Sequence, residues 1–269
     1  MLKDITLGQY FPGNTVVHRL DPRTKILLVL VYIIALFQAK SFVSYGILLV
    51  FLLVSVRLSK VGAKALLRGM KPVVVILIFT GILNLFYGTT GRELFHWGIL
   101  TITTGGVKTA FFMIVRILML ISGTFLLTYT TSPILLTDGL ENLLSPLKKV
   151  KVPVHELAMM MSIALRFIPT LIEETDKIMS AQKARGADFD SGNLLDKAKA
   201  LVPLLVPLFV SAFRRADELA TAMECRCYHG GEGRTRLRQL AYAGIDWAAL
   251  AIGGAVLVAV CVLAYGFGW

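Results

Sequence analysis

Long apolar stretches, each closed by charge or by turn-forming residues, leave this chain one medium in which to fold. They are residues 26–37, 42–56, 72–87, 107–130 and 247–269. A hydrocarbon core offers no water to backbone amides, so such stretches form helices that satisfy their own hydrogen bonds. About 20 apolar residues suffice to cross, fewer when flanking charges snorkel. Composition agrees, with 56% of 269 residues hydrophobic and a mean hydropathy of +0.71, more than a soluble domain carries. The expected fold is an all-α membrane protein with about five spans. The opening residues are polar and basic, without a cleavable leader pattern, so the first span is expected to target the chain.

The net charge of +11 reads as membrane topology before nucleic-acid binding. Lys3, Arg19, Arg23 and Lys25 precede the first stretch, and Arg57, Lys60, Lys64, Arg68 and Lys71 follow the second. The alternate connections hold only Lys40, then Arg92 and Lys108. A tight hairpin with Lys40 at its outer tip keeps that charge out of the bilayer. The positive-inside rule then places the amino terminus in the cytoplasm and the carboxyl terminus outside. Trp247 and Trp269 suit an aromatic belt for the last span. Three cysteines imply no disulfide framework.

Residues 1–130 are expected to form a membrane domain, residues 131–239 a cytoplasmic platform, and residues 240–269 a last span. The platform is apolar in patches but laced with balanced charge. Helices are expected over about 133–144, 154–183 and 194–228, punctuated by Pro146, Pro153, Gly186 and Gly192. Residues 155–172 are interrupted by Glu156 and Arg166, and residues 200–213 contain Pro203 and Pro207. Both read as helices along or under the membrane rather than across it.

Catalytic signatures are thin. His155-Glu156 begins a zinc-protease motif, but the second histidine position is Met159. Gly230-Gly-Glu-Gly-Arg-Thr lacks the lysine of a phosphate loop. Cys225, Cys227 and His229 lack a fourth ligand, and on a helix the two thiols point about 200° apart, so no metal site is expected. Arg116 lies near the middle of the fourth stretch, where a charge marks a functional or paired position. Asn84 or backbone carbonyls are its candidate partners.

One pattern occurs twice, 41 positions apart. The first copy is Asp176-Lys-Ile-Met-Ser-Ala-Gln-Lys-Ala-Arg185-Gly186, the second Asp217-Glu-Leu-Ala-Thr-Ala-Met-Glu-Cys-Arg226-Cys227. Residues four and seven before each arginine share its helix face: Ala181 and Ile178, then Ala222 and Leu219. Basic residues near a helix carboxyl end suit the macrodipole by about 0.3–1 kcal/mol, and a lone copy needs no more explanation. Repetition of the whole stripe points instead to two similar sockets on a dimeric partner, which the planar guanidinium fork suits.

The chain resembles the transmembrane (T) component of energy-coupling-factor transporters, ABC-type importers of vitamins and trace metals. The marks are Gly8-Gln-Tyr10, His18-Arg-Leu-Asp-Pro-Arg-Thr-Lys25, Thr131-Ser, Leu140-Glu-Asn-Leu-Leu-Ser-Pro-Leu147, Leu165-Arg-Phe-Ile-Pro169, Ala184-Arg-Gly186 and Phe213-Arg-Arg-Ala-Asp-Glu-Leu-Ala220. Each is weak, while their order along nearly the whole chain is specific. The resemblance implies a non-catalytic subunit of the cell membrane whose coupling helices dock into two ABC-type ATPase subunits. Those subunits bind the ATP and magnesium; no cofactor is expected here. A separate small membrane protein binds the substrate. Carried over, Ala184, Arg185 and Gly186 seat in one ATPase, and Cys225, Arg226 and Cys227 in the other. The second motif is usually Ala-Arg-Gly, so Cys-Arg-Cys is a departure. Apolar patches around residues 201–213 are expected to face the substrate-binding subunit. Gly8-Gln-Tyr10 leans towards the shared vitamin type over a dedicated cobalt or nickel system. A membrane enzyme and a lipid-binding scaffold are the competing readings, and neither calls for matched arginine stripes. Nucleic acid is not an expected partner.

Overall fold

The computed structural model describes residues 10–87, 93–97, 100–187, 189, 194–230 and 239–266. The described chain is helical throughout except for one small hairpin. In order it forms α1 (Val16–Arg19), α2 (Pro22–Gln38), α3 (Phe42–Ser59), α4 (Ala63–Met70), a 3-10 turn at Lys71–Val73 and α5 (Val74–Tyr87). Strands β1 (Glu93–Trp97) and β2 (Leu100–Thr103) follow, then α6 (Thr104–Thr130) and α7 (Pro133–Leu144). After a 3-10 segment at Ser145–Val150 come α8 (Val154–Ala184), α9 (Leu194–Glu224) and α10 (Gly244–Gly266).

Two compact units result, residues 8–139 with 240–269 in one and residues 140–239 in the other. In the first, Tyr32, Ala35, Leu36 and Ala39 of α2 pack with Tyr45, Leu48 and Leu52 of α3, Met119 of α6 and Val260 of α10. Lipid tails give helices no hydrophobic reason to associate, so close packing and polar ties must hold them. Gly123 shows the closeness, since a Cβ there would sit 2.8 Å from Cε1 of Tyr32. The outer faces are apolar, with Leu30, Ile34, Val50, Leu53, Val75 and Phe79 exposed. A bilayer solvates such a surface and water does not.

The polar ties gather at one end of this unit. Asp246 is 2% exposed. Its Oδ1 accepts the amide of Asp21 at 2.8 Å and its Oδ2 that of Ala243 at 2.8 Å. Asp21 caps α2 through the amide of Arg23 and receives that residue's guanidinium fork at 3.0 and 2.9 Å. Arg23 in turn lies 4.1 Å over the Tyr242 ring. Buried Lys25 gives its ammonium to the carbonyls of His18 (3.2 Å) and Thr130 (2.9 Å) and to Oγ1 of Thr131 (3.3 Å). The starts of α2 and α10 and the end of α6 are therefore knotted together.

At the far end of α2, the Tyr265 hydroxyl donates to Oε1 of Gln38 at 3.0 Å, and the Lys40 ammonium lies 5.7 Å from the Tyr265 ring. Helices α2 and α10 thus run parallel, and the Lys40 turn is the tight hairpin expected. Ser41 caps α3 through the amide of Val43.

Among the described residues five helices are long and apolar enough to cross a membrane: Phe42–Ser59, Lys64–Phe86, Thr104–Thr130, Val154–Ala184 and Gly244–Tyr265. Five was the number expected, but the membership differs. Helix α2 has 17 residues, about 26 Å at 1.5 Å per residue, close to the hydrocarbon thickness of about 30 Å. It packs along α10, one of the five. Helix α8, expected along or under the membrane because of Glu156 and Arg166, qualifies by length and composition alone, with no more than two charges in its best window at a mean hydropathy of 1.3. Helix α9 runs unbroken through Pro203 and Pro207, against the penalty of an interior proline. The carbonyl of Pro203, deprived of an amide by Pro207, instead accepts Nε2 of Gln182 at 3.4 Å. The hairpin β1–β2 was not expected; its strands pair antiparallel, with Trp97 opposite Leu100. Glu-Leu-Phe-His-Trp and Leu-Thr-Ile-Thr have the aromatic and β-branched content of strands.

Replacing Asp246 with alanine leaves two backbone amides without their acceptor, that of buried Asp21 and that of Ala243, and hydrogen bonds to a charged group are worth about 1.5–3 kcal/mol each. The expected result is a lower unfolding temperature of the detergent-solubilised chain, with Asp246→Asn, which keeps one acceptor, falling between. An unchanged unfolding temperature for Asp246→Ala would remove the knot from the account of stability.

Candidate functional site

Both repeated arginines sit at a helix carboxyl end, and the two ends are built alike. At the end of α8 the amide of Ala187 reaches the carbonyl of Gln182 at 3.0 Å, and that of Gly186 reaches Lys183 at 3.0 Å. At the end of α9 the amide of Tyr228 reaches Met223 at 3.1 Å, and that of Cys227 reaches Glu224 at 2.8 Å. This is the Schellman pattern, a six-residue loop enclosing a shorter one. Arg185 and Arg226 occupy the same place in it, the last position before the left-handed residue. That next residue is Gly186 at φ +89° in one copy and Cys227 at φ +56° in the other. Cys-Arg-Cys therefore departs from Ala-Arg-Gly in composition but not in backbone course.

The side chains correspond as well. Ile178 and Leu219 are half-buried, while Ala181, Ala222, Arg185 and Arg226 are exposed. Among the described residues neither arginine side chain has a hydrogen-bond or ion-pair partner. Each stripe thus presents a small residue and a free guanidinium one turn apart, beside its last helical carbonyls. The flanking residues Ala184, Gly186, Cys225 and Cys227 are exposed too. No group of three or more metal-ligating side chains gathers among the described residues. Cys225 remains helical through its amide bond to Thr221 at 3.0 Å, whereas Cys227 is left-handed.

Sequence reasoning passed over a contact between these helices. Glu174 of α8 accepts the hydroxyl of Ser211 at Oε1 and Nη2 of Arg215 at Oε2, the latter at 2.7 Å. Ser211 and Arg215 share a face of α9. The separation of Glu174 and Arg215 equals the repeat spacing of 41, a signal available in the sequence. His155, the stub of the zinc-protease pattern, instead meets Oε1 of Glu141 through Nδ1 at 2.9 Å and fastens α7 to α8.

Arg116 is a structural tie. Its Nε donates to the Tyr45 hydroxyl at 2.9 Å and its Nη2 to the carbonyl of Ala39 at 3.2 Å. The rings of Phe37 and Tyr45 lie 5.7 and 5.9 Å from the guanidinium. A backbone carbonyl is indeed a partner. Asn84 is not, its amide going to Thr80 at 2.9 Å. Helix α6, at 27 residues, outlasts the α2–α3 hairpin, so its midpoint falls level with the hairpin turn.

A left-handed residue other than glycine costs roughly 1–2 kcal/mol. Cys227→Gly should therefore slow hydrogen exchange at the amides of residues 227 and 228, and β-branched Cys227→Val should speed it. Equal exchange in both variants would mean that the α9 end does not depend on this conformation.

The family model described as cobalt transport protein (CbiQ) matches residues 13–237. The energy-coupling factor transporter transmembrane protein EcfT of Acidaminococcus fermentans is 54% identical over 269 residues, covering 100% of this chain and 98% of its own. Its counterpart in Thermosediminibacter oceani is 56% identical over 257 residues, covering 96% of this chain and 97% of its own. That of Bacillus subtilis is 51% identical over 246 residues, covering 91% and 93% respectively.

Proposed function

Because this chain belongs to the family of energy-coupling factor transporter transmembrane proteins, we propose that its two arginine-tipped helix ends dock into two ATPase subunits and carry their ATP-driven motion to a separate substrate-binding membrane protein. The chain is a non-catalytic, multi-pass membrane subunit of the transporter. ATP and magnesium are bound by the partner ATPases. The observation that carries the reading is the pair of matching Schellman ends, each with an arginine that is exposed and, among the described residues, unpartnered. Two like sockets on an ATPase pair match two like ends.

The substrate-binding protein is met by the apolar side of α9. Val202, Val206, Phe209, Val210 and Phe213 are each more than half exposed there, a larger apolar surface than a single helix in water retains. Vitamins are the substrate class under this reading, delivered by interchangeable binding proteins. A dedicated cobalt system is the second reading, favoured by the description of the family model. The amino terminus and the coupling helices face the cytoplasm, and the carboxyl terminus lies outside. Support comes from Arg57, Lys60, Lys64, Arg68 and Lys71 against the lone Lys40 at the opposite turn, and from the parallel course of α2 and α10.

Removing one partner of a desolvated charged contact costs about 2–5 kcal/mol. Arg185→Ala and Arg226→Ala should each weaken capture of the ATPases by the tagged chain in mild detergent and reduce ATP-driven uptake. The double variant should lose both while still inserting in the membrane. Uptake at the wild-type rate by the double variant would rule out docking through these arginines. Several different small membrane proteins captured in turn would support the vitamin reading, and a single metal-binding one the cobalt reading.

A further inference from the structure

The repeat and the contact between α8 and α9 belong to one design. Gln182 meets Pro203 and Glu174 meets Ser211, eight positions earlier on one helix and eight later on the other. The two helices therefore run antiparallel in a single register. Within that register, the positions that are both level and equivalent in the repeat are Ile172 and Phe213, 41 apart. A pseudo-two-fold axis at this level exchanges α8 with α9. Arg185 and Arg226 each lie thirteen residues beyond it in opposite directions, about 20 Å along each helix.

Residues close to such an axis meet their own repeat equivalents, so identical charges there would repel. At the two positions nearest the axis the copies carry opposite charges instead, Glu173 answering Arg214 and Glu174 answering Arg215, whereas Asp176 and Asp217, four residues out, keep like charges. Of these, Glu174 and Arg215 are in contact, with both carboxylate oxygens engaged once Ser211 is included. The pair is only partly exposed, at 22% and 33% of its side chains. An exposed ion pair contributes about 0–1 kcal/mol to stability, so stability is a poor reason for a three-residue clasp here. Position is a better one, because the clasp holds the only level from which both docking ends are equally distant.

We propose that Glu174, gripped by Ser211 and Arg215, is the positioning residue that pins α8 to α9 on this axis and fixes the spacing of Arg185 and Arg226. The inference rests on the docking reading above and adds a role for residues that touch neither ATPase. With the pin in place the two ends move as one body, and closure of the ATPase pair is delivered as work. Without it each ATPase still holds its arginine, but the helices slip past one another.

The test uses the complete transporter and the full chain. Glu174→Leu and Arg215→Leu should keep ATPase capture yet lose severalfold in substrate taken up per ATP hydrolysed. The exchange Glu174→Arg with Arg215→Glu should restore that ratio. Spin labels at Ser180→Cys and Thr221→Cys, equivalent exposed positions, with the native cysteines changed to serine, report the spacing of the two ends in the isolated chain. The distance distribution should broaden in the single variants and narrow again in the exchange. Wild-type coupling and distances in both single variants would overturn the pin while leaving docking intact. Lost ATPase capture in Glu174→Leu would overturn it differently, by placing Glu174 in the docking contact itself. Failure of the docking reading shows only in the Arg185 and Arg226 variants, as retained capture and uptake.

Discussion

Asp246 is the residue on which the membrane unit turns. A buried carboxylate is tolerated only when its oxygens are taken up, and both accept a backbone amide, one from its own helix end and one from the entry to α2. Lys25 does the converse, giving its ammonium to two carbonyls and a hydroxyl around the end of α6. Together they fix three helix termini at one level, which apolar packing in lipid does not do, since apolar side chains tolerate sliding. At the other end of α2, Arg116 takes the carbonyl of Ala39. The Lys25–Thr130 and Arg116–Ala39 contacts are fourteen residues apart on α2 and on α6 alike, so the two ties agree on one register.

Much of the helical plan is legible from the sequence because its signals are local. Asp21-Pro22 and Ser132-Pro133 mark helix starts, as cap residues followed by first-turn prolines do, and the structure begins α2 and α7 there. The three helices after α6 follow from Pro146, Pro153, Gly186 and Gly192. What escaped is non-local or context-dependent. The hairpin β1–β2 is too short to stand out between two apolar helices. The prolines in α9 leave the expected helix unbroken, and the carbonyl freed by Pro207 finds Gln182 on another helix. Local composition does not announce such a partner.

The arginine ends show the same division between what residue types report and what the backbone does. From composition alone, Cys-Arg-Cys is a flawed copy of Ala-Arg-Gly. In the structure the loop is specified by two amide-to-carbonyl bonds and one left-handed residue, and Cys227 fills that role at φ +56°. Glycine adopts the conformation without strain, but other residues reach it when the surrounding bonds hold them there. Position in the loop therefore defines the end, and the name of the residue that follows the arginine sets only its cost.

A two-fold repeat within one chain faces contrary demands. Where it meets two like partners, the copies must agree, and Arg185 and Arg226 agree in residue, backbone pattern and exposure. Where it meets itself, the copies must differ, because a side chain on the axis confronts its own equivalent. Two glutamates at Glu174 and Arg215 would repel, as would two arginines, and at short range the penalty grows as the site dries. The chain is alike at its tips and opposite at its centre, an arrangement two identical polypeptides cannot reach. A homodimer of helices would have to leave that centre uncharged. One chain carrying both copies can place an ion pair there, and so hold an antiparallel crossing in a defined register while presenting matched ends on either side.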